Sequence, residues 1–220
     1  MYHDSTYLDR SPIWHLRGAA WQADVVCQLL RRHGIQPGRV AEAGCGAGEI
    51  LLRLSHNLGP TVECVGFETA PLAFDTCRTK ATEHLRFLHA DPSTTNLRFD
   101  VLLAMDLLEH LEDYPGFLRK LRDKATYKVF HIPLDLSVQA VLRVDPLAHA
   151  RAAGGRRHFF SKETALGALT DAGYEIVDCQ YTSVPASGGW RSLVRKAAFR
   201  LHQDLAARVL GGYSLLVLAK

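Results

Sequence analysis

Long apolar runs are missing from this 220-residue chain. No stretch approaches the roughly 20 apolar residues that a membrane span needs. The first residues lack a charged-then-apolar signal region, so the chain is expected to be cytoplasmic. Paired cysteines are missing too. Cys27, Cys45, Cys64, Cys77 and Cys179 are odd in number, scattered and without a C-x-x-C pair, the pattern of buried reduced thiols and not of a disulfide framework or a zinc site. Charge of one sign is scarce: 26 Lys or Arg against 23 Asp or Glu leave a net charge of +3. The basic residues are not interleaved with aromatics in one block, so no nucleic-acid partner is expected. Internal repeats and low-complexity tracts are absent as well. What remains is a composition 47% hydrophobic and 22% charged, ordinary for one well-buried domain, whose function has to come from motifs.

The most informative stretch is Val40-Ala41-Glu42-Ala43-Gly44-Cys45-Gly46-Ala47-Gly48-Glu49-Ile50-Leu51. A short apolar run ends in three glycines at alternate positions, and a helical pattern follows at once. This predicts a strand, a tight turn and a helix N-terminus, with backbone bare enough for a flat ligand to lie against it. A dinucleotide fingerprint, G-x-G-x-x-G/A, would place a small residue where this chain has Glu49. Glu42 adds a second acid near the helix end. Two acids there oppose a phosphate and suit a ligand that carries an ammonium group and a positive sulfur.

These residues resemble the first motif of the class I S-adenosylmethionine-dependent methyltransferases, and further landmarks follow in that family's order. Thr61 to Glu68 reads as a second strand ending in an acid, and Leu85 to Asp91 as a third. Phe99 to Asp106 followed by Leu107-Leu108-Glu109-His110-Leu111 resembles the fourth strand and its loop. The resemblance implies a Rossmann-like, doubly wound α/β sheet of seven strands, mostly parallel, with an antiparallel last strand inserted between the fifth and sixth. It implies S-adenosyl-L-methionine as cofactor and S-adenosyl-L-homocysteine as product. The cofactor residues it implies are Glu42, Gly44, Cys45, Gly46, Gly48, Glu68 on the ribose, Asp91 on the adenine amino group, Met105 and Asp106. It spans about Tyr7 to Lys220, one methyltransferase domain over residues 1–220 with an N-terminal helical cap at 1–36 and an acceptor-side insertion at 134–158.

Strands are expected near 39–43, 62–68, 85–89 and 99–105, with helices at 48–57, 71–82 and 113–123. A helix over Ala19 to Arg32 is expected to cover the sheet edge. A fifth strand over Thr126 to Ile132 is stopped by Pro133, and Ser137–Val144 reads as a short helix. A helix beginning at Ser161 carries a capping box with Thr164. Tyr174 to Cys179 is then a strand, Arg191 to Leu210 a helix and Tyr213 to Ala219 the last strand.

Methyl transfer from a sulfonium needs alignment and, for most acceptors, a base near the methyl. His110 and His131 are the catalytic candidates, since both follow strands at the ligand side. Asp106, Glu109 and His110, at i, i+3 and i+4, would share one side of a helical turn and so meet on one metal. The wording resembles that of quinone-biosynthesis O-methyltransferases, in which such residues are implicated in divalent-ion binding. The alternative is that they pair with neighbours at a helix start, and no metal is assigned. Tyr7, Trp14 and His15 form either a lid or a packed cap. His149, Arg151, Arg156, Arg157 and His158 either recognise an acidic acceptor or face water.

The leading expectation is a methyltransferase acting on an oxygen or nitrogen of a small-molecule acceptor. Alternatives are a metal-dependent O-methyltransferase of a quinone-like or lipid-linked acceptor, a nicotinamide-dependent oxidoreductase, and a binding module that has lost catalysis. The basic amphipathic stretch at 191–210 is expected to pack its apolar face on the sheet, with peripheral membrane contact as the alternative, and the oligomeric state is unassigned.

Overall fold

Seven strands rich in Val, Leu, Phe and Ala pair into one sheet in a computed structural model that describes residues 12–143, 145–183 and 190–220. The described elements are α1 (Pro12–Arg32), β1 (Arg39–Ala43), α2 (Glu49–Leu58), β2 (Glu63–Phe67), α3 (Pro71–Cys77), β3 (Leu85–Leu88), β4 (Phe99–Met105) and α4 (Tyr114–Leu121). They continue as β5 (Ala125–Leu134), α5 (Val138–Arg143), α6 (Asp145–Ala152), α7 (Lys162–Asp171), β6 (Ile176–Thr182), α8 (Trp190–Leu201), α9 (Gln203–Leu210) and β7 (Tyr213–Ala219). The strand order is β3-β2-β1-β4-β5-β7-β6. β1 to β5 pair in parallel, and β7 runs antiparallel between β5 and β6, as the resemblance implied.

Strand side chains alternate between faces, and each face buries against its own helices. On one face Val40, Leu103, Val129 and Leu216 pack under α1 and under Leu51 and Leu54 of α2. On the other, Phe130, Ile132 and Val217 meet Leu118 of α4 and Ala165 and Leu169 of α7. Truncating a fully buried leucine such as Leu54 to alanine would cost about 2–5 kcal/mol.

Several boundaries differ from expectation. α1 starts at Pro12 and lies across a sheet face, not along an edge, because Ala19, Ala23, Val26 and Leu30 form a fully buried stripe that an edge could not cover. Pro133 does not end β5. His131 directs its carbonyl to Asp106 on the β4 side, so Pro133, two residues on, turns its missing N–H the same way, past the end of β4 at Met105. The helices expected at 71–82 and 113–123 end at Cys77 and Leu121, and each tightens into a single 3₁₀ turn. The stretch 191–210 is two helices: His202 breaks it in an extended conformation and caps α9, its Nδ1 accepting from the Leu205 N–H at 3.2 Å. α6 was not foreseen, since none of its residues is buried and it carries no apolar period.

The Ser161–Thr164 capping box is present. All five cysteines are free thiols. Among the described residues no helix is long and apolar enough to cross a membrane.

Candidate functional site

Strand order reverses between β1 and β4, and the loops that leave their carboxyl ends touch there. Gly44, Gly46 and Gly48 all have positive φ, at 64°, 55° and 78°. Their reasons for being glycine differ. A Cβ on Gly44 would lie 2.7 Å from Leu107 of the β4 loop, and one on Gly48 would lie 2.8 Å from the Phe87 ring and 2.9 Å from Cys77. A Cβ on Gly46 would meet nothing within 4 Å. Two glycines therefore permit close packing, and the middle one bares its backbone to open space.

Glu68, at the end of β2, fixes this turn. Its Oε2 accepts from the Gly46 N–H at 2.8 Å, and its Oε1 accepts from Thr69 and Ala70 N–H groups, each at 2.8 Å. Lys80 holds the far side, pairing with Glu49 at 2.9 Å and donating to the Ala47 carbonyl. Glu42 and Glu49 do not both stand bare at the helix end. Glu49 is offset by Lys80, and Glu42 lies 1% exposed beneath the turn, where burial and then the Glu68 charge raise its carboxyl well above the usual range. Glu42 is a buried acid, with Oε2 unpartnered. Cys45 is buried too. A hydrogen bond shared with Cys77, then burial, raises its thiol; the same hydrogen bond lowers that of Cys77 against the effect of burial.

Asp91 follows β3 and uses Oδ1 to accept from the Ser93 N–H at 2.7 Å, which caps a 3₁₀ turn. Met105 is buried at the end of β4. Asp106, next to it, is the one non-glycine among the described residues with positive φ, at 48°. Both of its oxygens are engaged: Oδ1 with His131 Nδ1 at 2.6 Å, Oδ2 with Gln22 Nε2 of α1 at 2.7 Å. Burial acts to raise this carboxyl, but the charge and hydrogen bond of His131 and the Gln22 amide outweigh it and leave it below its ordinary value. His131 is itself buried, and its Nε2 lies 2.9 Å from the Thr182 hydroxyl of β6. A hydrogen-bonded chain thus runs Gln22, Asp106, His131, Thr182, across α1, the β4 loop, β5 and β6.

The turn at Leu108–His110 is 3₁₀, not α-helical, and it follows a left-handed residue. Asp106, Glu109 and His110 therefore do not share one side of a helical turn, and among the described residues no group of three His, Cys, Asp or Glu side chains is placed to hold a metal. Glu109 is 1% exposed with neither carboxylate oxygen hydrogen-bonded, and burial, then the Asp106 charge, raise it well above the usual carboxylic range. His110 meets the Gly155 carbonyl through Nδ1 at 3.3 Å, and burial pushes its ring down to about 4. Its Nε2 lies 3.7 Å from Glu109 Oε1, so the ring sits between that carboxyl and the Gly155 carbonyl.

The 134–158 stretch closes over this turn. Arg157 and His158 donate backbone N–H groups to the Glu109 carbonyl at 2.7 and 3.0 Å, and Arg156 pairs with Asp135. His149 and Arg151 are exposed. Tyr7 and the side chains of Trp14, His15 and Arg191 lie outside the described residues. Gln22, Lys80 and Thr182 were not foreseen. Gln22 had a signal, a polar residue inside the buried stripe Ala19, Ala23, Val26; Lys80 and Thr182 had none, since their partners are 31 or more residues away.

A family of methyltransferase domains matches residues 13–178. Among solved structures, the chain is similar to magnesium protoporphyrin IX methyltransferase from Synechocystis PCC 6803 with bound SAH, at 18% identity over 92% of this chain and 83% of that one, TM-score 0.64. It is similar to the N-methyltransferase NodS from Bradyrhizobium japonicum WM9 in complex with S-adenosyl-L-homocysteine, at 20% identity over 98% of each chain, TM-score 0.62. A third is an S-adenosylmethionine dependent methyltransferase from Mesorhizobium loti, at 21% identity over 93% of this chain and 99% of that one, TM-score 0.60. No curated protein matches.

Proposed function

Because this chain belongs to the family of methyltransferase domains that matches residues 13–178, we propose that it transfers a methyl group from S-adenosylmethionine to an oxygen or nitrogen of a small-molecule acceptor. The observation that carries the reading is the left-handed glycine turn, tied by Gly46 N–H to Glu68 at the strand-order switch, with open space above Gly46. The adenosyl ligand held by two of the similar structures supports the same cofactor here.

The residues present fit that group. Glu68 Oε2 accepts one backbone hydrogen bond and keeps capacity for a ribose hydroxyl, and Asp91 keeps Oδ2 for the adenine amino group. The sulfonium supplies a methyl already activated for displacement, so no side chain has to act as a nucleophile. The bared Gly46 peptide admits the ligand, and Met105 and Asp106 border it from the β4 loop. His110, whose ring burial pushes down to about 4 and whose Nε2 lies 3.7 Å from Glu109 Oε1, is assigned the shaping of the acceptor side, and the acceptor is one that needs no strong base, already deprotonated or a neutral amine. His131, enclosed between Asp106 and Thr182, is assigned the positioning of Asp106.

Thermal shift and calorimetry with S-adenosylhomocysteine and with NAD test the reading. Saturation at about 100 times Kd stabilises a one-site protein by about 2.7 kcal/mol, which in a domain of this size is a rise of roughly 5–10 °C. Gly46→Val and Glu68→Ala are expected to lose that rise while far-UV circular dichroism confirms that they fold. Stabilisation by NAD alone would overturn the assignment.

A further inference from the structure

Among the described residues, exposed large apolar side chains gather mainly on three helices. Of the seven among the described residues, six lie on α5, α8 and α9: Val138, Val141, Leu142, Leu201, Leu205 and Val209. Leu142 is 79% exposed and Leu201 87%. Val138, Val141 and Leu142 fall at i, i+3 and i+4, one side of α5, and Leu205 and Val209 at i and i+4 on α9. The three helices are tied together by Arg195 of α8, which donates to Gln139 of α5 at 3.4 Å and to the Leu210 carbonyl of α9 at 2.9 Å.

Positive charge is concentrated in the same layer. The sequences of α5, α8 and α9 contain six Arg or Lys against one Asp, an excess larger than that of the whole chain, which has 26 against 23. Arg143, Lys196 and Arg200 are exposed and have no acidic partner among the described residues. Cation and hydrocarbon are neighbours in sequence, Leu142 with Arg143, Arg200 with Leu201 and Arg208 with Val209. A protein interface sorts them differently, with an apolar centre depleted of lysine and a polar rim. A bilayer offers phosphate and acyl chain within one shallow depth, and matches the interleaved order.

We propose that α5, α8 and α9 form a docking surface for an anionic lipid bilayer, with the leucine and valine side chains entering the acyl boundary and Arg143, Lys196 and Arg200 on headgroup phosphates. α5 opens the stretch that returns to the site through Gly155 and Arg156. Joined to the methyl-transfer reading, on which this last step rests, the surface makes the acceptor a membrane-borne molecule.

Flotation of the full chain with phosphatidylcholine vesicles, with and without phosphatidylglycerol, tests the surface apart from any cofactor. Binding is expected on the anionic vesicles and about tenfold weaker on neutral ones. Lys196→Glu/Arg200→Glu should lose a similar factor, and Leu142→Glu/Leu201→Glu should lose binding with an unchanged melting temperature. Equal binding to both vesicles would overturn the proposal. So would a chain that ignores vesicles and instead forms a dimer, by light scattering, that Leu142→Glu dissociates.

Discussion

Glu109 and His110 are consecutive, both buried, and tilt stability with pH in opposite directions. The His110 ring is pushed from 6.5 to about 4, so below pH 6.5 the unfolded chain takes a proton that the folded one refuses. Stability is therefore lost as pH falls from 6.5 towards 4, by on the order of 3 kcal/mol. Glu109 is raised instead, so above about pH 4.5 the unfolded chain ionises while the folded one keeps the proton, and stability falls as pH rises through that window. Urea unfolding across pH 4 to 8 checks both signs. His110→Gln should flatten the acid limb, and the stability of Glu109→Gln relative to the parent should climb as pH rises above 4.5. A His110→Gln acid limb as steep as the parent's would show that the ring does not resist protonation. Neither effect was legible in the sequence, where Asp106, Glu109 and His110 read as sharing one side of a helical turn. Their environment comes from Gly155 and Arg156, some 45 residues on, and from the positive φ of Asp106.

Among the elements, what was legible was what is locally encoded. The β1–α2 turn declares itself because alternate glycines after an apolar run leave few other conformations, and α7 because Ser161 and Thr164 satisfy each other's backbone N–H groups. Ser161→Ala should cost about 1 kcal/mol, read as a fall in melting temperature of roughly 2–4 °C with an unchanged denaturant slope. No loss would mean that Lys162 and its pair with Asp204 already fix the helix start. The division of 191–210 into α8 and α9 was not legible, because the apolar spacing continues through His202 and only the extended backbone there breaks the ladder. The persistence of β5 through Pro133 was hidden for a similar reason: whether a missing N–H matters depends on where β4 stops.

For the molecule as a whole, the sheet brings distant residues to one end, and the glycine turn, Glu68, Asp91 and the β4 loop all lie there because parallel strands all point the same way. α1 is joined to that end through Gln22 at its middle and, at its C-terminal end, to β6 through Arg32 and the following His33 on Asp178. It spans the site to the far sheet edge as one rod. Trp21, beside Gln22, stands edge-on to the His131 ring with centroids 6.0 Å apart. An indole so placed is a built-in optical gauge. In a Trp14→Phe/Trp190→Phe background its emission alone should shift when S-adenosylhomocysteine saturates the site, and His131→Asn should abolish the shift without abolishing the heat of binding. A signal that survives that substitution would mean the light comes from somewhere other than this ring pair.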